Sequence, residues 1–118
     1  MRVIVAGASD WTDAGAIARE LAKLPPGATV IHGDAPGADA LAGAAAALLG
    51  LRVEAMAKNE EDYARYRRGA WRGLNERMLA SGAVLVLAFH PDLARSKGTR
   101  HMVELAQAVE IEVRIFGA

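Results

Sequence analysis

Cysteine is absent from the 118 residues. That excludes disulfide scaffolds, thiolate nucleophiles, and cysteine-ligated zinc or iron–sulfur centres. Net charge is missing too: fourteen Lys and Arg balance fourteen Asp and Glu, leaving no global field to gather nucleic acid or an anionic membrane. Nucleic acid is therefore disfavoured as a partner. No apolar run is long enough to cross a membrane, and Val3 to Ala6 is too short and wrongly flanked for a signal peptide. The expectation is a cytoplasmic protein that does not bind membranes. Aromatic residues make up only 5%, and no low-complexity tract, internal repeat or linker occurs. Side-chain amides are confined to Asn59, Asn75 and Gln107, and arginine outnumbers lysine eleven to three. That bias leans towards a thermophilic source, although genomic base composition produces the same pattern. What is present is 53% hydrophobic and 24% charged residues, the mixture of one packed domain spanning 1–118.

Apolar and helical periods alternate along the chain. Arg2 to Ala6 reads as a buried strand closed by Gly7. A helix capped by Thr12 or Asp13 follows, carrying Ala16, Ile17, Leu21 and Leu24 on one face until Pro25-Pro26-Gly27 stops it. Ala28 to His32 is a second strand, Gly37 to Leu49 an alanine-rich helix ending at Gly50, and Leu51 to Ala57 a third strand. Between Asn59 and Ala80, Gly69 and Gly73 interrupt a polar helical pattern, predicting two pieces or one bent helix. Ala83 to Phe89 reads as the central strand. A loop over His90 to Gly98, a helix over Thr99 to Val109 and a strand over Ile111 to Phe116 complete the order. Alternating strands and helices imply right-handed crossovers, hence an α/β, Rossmann-like, three-layer domain with a parallel five-stranded sheet. Ligands in such sheets gather beyond the strands' carboxyl ends, so the loops after strands one, two and four are the places to look.

Each of those loops has a chemical and a plain structural reading. In the first, Gly7 permits close backbone approach, Ser9 offers a hydroxyl, Trp11 offers a stacking face, and Asp10 or Asp13 equally serves as a helix cap. In the second, Gly33, Asp34, Gly37 and Asp39 stand at a helix start. Free N–H groups there suit a phosphate, and the two acids suit ribose hydroxyls or a hydrated Mg2+. The same residues also read as a turn and a dipole partner. In the third, Ser96, Gly98 and Thr99 with Lys97 and Arg100 suit a phosphate better than any other common ligand, and equally form an N-cap with two solvated cations. Several fingerprints are missing: G-x-G-x-x-G, G-x-x-x-x-G-K-[ST] and G-x-S-x-G all fail to appear. His32, His90 and His101 have no paired metal-ligand spacing.

Together, Gly7-Ala8-Ser9-Asp10-Trp11, Val30 through Asp39, and Ser96 through Met102 resemble the YspA/YpsA-related branch of the SLOG superfamily. The likeness runs over nearly the whole chain. It implies a fold akin to the LOG phosphoribohydrolases and to the nucleotide-fold domain of DNA-processing protein A, and a pocket for a nucleotide or nucleotide-derived ligand. Two departures stand out. Where the LOG pattern P-G-G-x-G-T-x-x-E has its glutamate, this chain has Met102, and Glu104 lies about 200° around the helix from that position. Where the branch carries an Arg-Asn pair, Leu74 precedes Asn75, leaving Arg72 or Arg77 to compensate.

The leading expectation is a nucleotide-like small molecule held by Gly7, Ser9, Asp10, Trp11, Gly33, Asp34, Gly37, Asp39, Asn75, Ser96, Gly98, Thr99 and Arg100. An alternative is hydrolysis of a nucleoside 5′-monophosphate, with Asp34, Asp39, Glu76 and Glu104 as candidate acids. A further alternative is a single-stranded nucleic-acid-binding module using the stripe from Arg65 to Arg77, which otherwise reads as a solvated face. Tyr63, Tyr66 and Trp71 read as packing anchors. The alanine-rich helix and the family resemblance both point to a homo-oligomer.

Overall fold

The fold is known from a computed structural model, which describes residues 1–117. Five strands, β1 (Arg2–Gly7), β2 (Thr29–His32), β3 (Arg52–Ala55), β4 (Leu85–Phe89) and β5 (Glu112–Phe116), form one sheet. The order is β3-β2-β1-β4-β5, and every pairing is parallel. The helices are α1 (Ala14–Leu21), α2 (Ala38–Leu48), α3 (Glu60–Tyr66), α4 (Trp71–Ala80) and α5 (Gly98–Ala108). The expected α/β, Rossmann-like architecture is the one observed. Strand order reverses between β1 and β4, so their carboxyl ends flank the point where the two halves of the sheet diverge.

Alternation along the strands divides the core into two layers. Val3, Val5, Val30, Leu85, Leu87 and Phe89 face Ile17 and Leu21 of α1 and the alanines of α2. Ile4, Ile31 and Val86 face Leu74 and Met78 of α4, and Met102 and Ala106 of α5. The alanines of α2 have a job within the chain: Ala38, Ala42 and Ala46 are fully buried at i, i+4 spacing and let the helix lie close to the sheet. β4 is buried at every position, as a central strand should be, while β3 and β5 are largely exposed edges. Among the described residues, no helix is long and apolar enough to cross a membrane.

Three boundaries differ from the sequence reading. α1 stops at Leu21, three residues early, because the approach to Pro25 tightens the chain into turns at Lys23 and Leu24. β3 is shortened to Arg52–Ala55 because an edge strand has a ladder on one side only. The polar helical segment does break in two: Arg67, at a φ of 56°, ends α3, and a short 3-10 turn over Arg67–Gly69 carries the break to α4, so Gly69 lies in the interruption and Gly73 does not. Gly73 is an interior residue of α4.

Packing explains the glycine at 73. Asp62, 3% exposed, closes a capping box with Asn59 and accepts from Nε of Arg77 at 3.1 Å. Arg77 also donates to the Ala57 carbonyl at 2.8 Å. This pair ties the β3–α3 loop, α3 and α4 together, and it holds the Asp62 carboxyl below the usual carboxylate range. A Cβ at position 73 would overlap Asp62 Oδ1. Alanine is the better helix former by about 1 kcal/mol, yet Gly73→Ala is expected to lower stability in urea unfolding by about 1–3 kcal/mol, since overpacking against a fixed ion pair dominates. An increase in stability would show that Asp62 is free to move.

Candidate functional site

The loops leaving β1, β2 and β4 meet α4 and α5 at the carboxyl edge of the sheet around a crevice of about 160 Å³. Its polar lining comes from Gly7, Gly33, Asp39, Asn75, Gly98 and Thr99. Leu74 and Met78 form an apolar wall, and Lys58 and Trp71 stand at the rim. At Gly7 a Cβ would overlap the Phe89 carbonyl and the Ala38 methyl, so a side chain there would pry β1 from β4 and α2.

Asp39 organises the β2–α2 loop. Its Oδ2 accepts from Gly33 N at 3.0 Å and, at a longer 3.4 Å, from Ala35 N. Between them, the amide of Asp34 donates to Nδ1 of His32 at 3.0 Å, with Asp34 held at a φ of 58°. Three successive amides expected to be available to a phosphate are therefore already satisfied inside the protein. The loop is an anion nest filled by the chain's own carboxylate. Accepting from amides stabilises the charged form, but burial outweighs it, and with a smaller push from Asp34 the Asp39 carboxyl is raised to about 6. Its second oxygen, Oδ1, has no hydrogen-bond partner among the described residues, and Asp39 lines the crevice. Because Nδ1 of His32 accepts, its proton sits on Nε2, and burial keeps its pKa below the ordinary value.

On the opposite wall, Ser96 Oγ accepts from Thr99 N at 3.0 Å, while the amide of Gly98, first in α5, finds no acceptor among the described residues. Asn75, 7% exposed, donates through Nδ2 to the Gly98 carbonyl at 3.0 Å and lies 3.1 Å from Nδ1 of His101. It fixes the start of α5 against α4. Thus Asp39, with one carboxylate oxygen unpaired, and Gly98, with its amide unpaired, line one small cavity.

Other expected residues lie elsewhere. Trp11 packs edge-on against Phe89 and against Gly117, and lines a separate depression with Asp10. Its indole N–H is used on the Asp13 carbonyl, so it offers no stacking face to the crevice. Ser9 is exposed. Gly37, at a φ of 74°, is pressed beneath the backbone of Ala8 and Ser9 and has a packing role. Asp34 points away from the cavity lining, exposed. Ser96 serves α5 as a cap. Arg100 turns to a neighbouring groove, where it pairs with Glu104 at 3.5 Å. Glu76 accepts from Tyr66 Oη at 2.6 Å outside the crevice. Arg77 is committed to Asp62 and cannot replace the arginine missing at Leu74. Met102 is fully buried on the sheet-facing side of α5, so that position presents no acid to any ligand. Among the described residues, no group of three or more His, Asp or Glu is placed to hold a metal ion. Trp71, which reads as a packing anchor in the sequence, also lines the crevice, and Lys58 had no reading there. Lys58 follows the third strand, whose loop had no place among the three inspected, although it shares the same sheet edge.

Because the folded-state pKa of Asp39 is raised, its contribution to stability is complete below the ordinary value of 3.8 and is lost as pH rises towards about 6. Asp39→Asn removes that slope. In thermal melts the difference in Tm, variant minus wild type, is expected to grow between about pH 4 and pH 6.5; a flat difference would mean that Asp39 titrates normally.

Three comparisons place this geometry among known proteins. Residues 1–63 match the family described as YAcAr, the YspA, cpYpsA-related SLOG family. Gene 61 protein of Mycobacterium phage D29 is 37% identical over 124 residues, covering 98% of this chain and 96% of the relative. DNA processing protein A (DprA) from Streptococcus pneumoniae superposes with a TM-score of 0.77 at 18% identity, over 97% of this chain. The match spans 49% of that longer protein, and at this identity it speaks for the fold alone. The chain belongs to the YspA, cpYpsA-related SLOG family.

Proposed function

We propose that the chain acts as a single nucleotide-binding domain over residues 1–118, taking the sugar phosphate of a nucleotide-like ligand into the crevice at the carboxyl edge of the sheet. The observation that carries this reading is that Asp39, whose Oδ1 is unpaired, and Gly98, whose amide is unpaired, line one cavity. A carboxylate oxygen accepts hydrogen bonds from sugar hydroxyls, and the N-terminus of a helix attracts a phosphate. Lys58 adds a cation at the rim, and Leu74 and Met78 supply an apolar wall for the carbon face of the sugar. Membership of the SLOG family supports the same ligand class. Titration calorimetry with nucleoside 5′-monophosphates is expected to give saturable binding that weakens as pH falls through about 6, where Asp39 takes up a proton. Asp39→Asn is expected to weaken it about tenfold, the equivalent of about 1.4 kcal/mol. Absence of binding by folded protein at millimolar nucleotide would overturn the reading.

One observation favours turnover as a second reading. Asp39 is the one carboxylic acid lining the crevice among the described residues, and its raised pKa leaves a protonated fraction near neutral pH, as a general acid requires. Hydrolysis of a nucleoside 5′-monophosphate to base and ribose 5-phosphate would then depend on Asp39 and be untouched by Glu76→Gln or Glu104→Gln. Chromatography of incubated nucleotides tests it: base release that survives Asp39→Asn, or no release at all, removes this reading and leaves binding alone.

A further inference from the structure

A crevice of about 160 Å³ is smaller than the sites of about 300–1,000 Å³ that enclose drug-sized ligands. A nucleotide seated there must continue beyond it. Trp71 lines the crevice and also a second, polar groove of about 370 Å³ between α4 and α5, so the two adjoin at its side chain. The groove carries Arg72, Lys97, Arg100 and His101 against one acid, Glu104. In a chain whose total charge is zero, this is a local concentration of cations beside the proposed phosphate position.

The groups are held ready. The Arg72 guanidinium lies over the Trp71 ring, 4.3 Å from its centroid, where stacking orients its fork without consuming its donors. Arg100 is anchored through Nη1 on the Ala94 carbonyl at 3.0 Å, and its contact with Glu104 is an exposed pair at 3.5 Å, weak enough to yield to a competing anion. His101 packs edge-on against Trp71, and with Nδ1 accepting from Asn75 its Nε2 carries the proton and can donate. Burial and the charge of Arg72 keep His101 neutral at ordinary pH. Thr99 lines the crevice and the next residue, Arg100, lines the groove.

We infer that the α4–α5 groove is a second anion subsite, binding a further phosphoryl group attached beyond the first, so that the preferred ligand is a nucleoside 5′-diphosphate or an ester of one. This rests on the crevice taking the sugar phosphate as proposed above. Arg72 and Arg100 supply the charge-assisted hydrogen bonds and His101 a neutral donor.

Calorimetry with 5′-mono- and 5′-diphosphates of the four common nucleosides, and with adenosine 3′,5′-bisphosphate, tests it. The diphosphate of the preferred base is expected to bind about tenfold or more tightly than the monophosphate, with the steeper salt dependence of an added ionic contact. The double variant Arg72→Gln/Arg100→Gln should erase that gain and leave monophosphate affinity unchanged. In wild type, the His101 ring resonances should titrate at higher pH with diphosphate bound than with monophosphate. Equal affinity for the two, or a gain that survives the double variant, overturns the subsite and leaves the crevice reading standing. A preference for the 3′,5′-bisphosphate overturns the 5′ extension. Binding of a single-stranded oligonucleotide lost in the double variant, with no diphosphate preference, assigns the groove to nucleic acid instead. If no nucleotide binds, the crevice reading fails and this inference fails with it.

Discussion

The carboxylate of Asp39 sits in a loop built for an anion, and the arrangement of the whole sheet edge follows from it. An unsatisfied amide buried beside a β-strand costs about 1–3 kcal/mol, and the turn from β2 into α2 exposes several in succession. Asp39 and His32 meet them from within the fold. The loop is therefore shaped before any ligand arrives, and it holds Gly33 against α4 at the crevice. The carboxylate stays partly charged because the amides offset some of what burial costs, and its free oxygen becomes a polar point on a mostly apolar wall. One side chain thus positions the loop, tunes its own proton affinity and presents an acceptor.

The unsatisfied amide consequently lies not where glycine content suggests it but at the start of α5. The amides of the loop richest in glycine and acid are taken by Asp39 and His32, while the amide at the start of α5 has no acceptor among the described residues. Asn75 makes this work without touching solvent freely: by donating to the Gly98 carbonyl and standing beside His101, it fixes α5 relative to α4 and so fixes the seam between crevice and groove. The Asp62–Arg77 pair does the same from behind, setting α4 against α3. These buried polar contacts position elements, whereas Arg72 and Lys97 of the groove are exposed and make no ion pair among the described residues.

Periodicity made the fold readable. Alternating Val3, Ile4 and Val5, the wholly apolar Leu85 to Phe89, and the alanine spacing of α2 report burial directly, and burial determines strand order and layers in a parallel sheet. Of the residues expected at the site, Gly7, Gly33, Asp39, Asn75, Gly98 and Thr99 line the crevice, most of them where a backbone feature and a loop position coincide. Side-chain direction was not legible. Trp11 was assigned to the ligand on chemical type, but the turn after Ala8 sends it to Phe89 on the α1 side. Lys58 belongs to a loop that strand order alone brings to the rim. Arg77 resembled a free cation until Asp62, fifteen residues earlier, was placed against it. Hydrogen bonds closed over such distances leave no period in the sequence, and that is also why the filled state of the β2–α2 nest was invisible.

The most direct test of this account is a pH titration by NMR, following the Asp39 side-chain carboxyl carbon together with the amide resonances of Gly33 and Ala35. A common midpoint near 6 for all three, with the Gly33 amide responding most strongly, is the predicted result. A midpoint near 3.8 for Asp39, with Gly33 and Ala35 unaffected, would mean that the carboxylate neither fills the loop nor stands ready in the crevice.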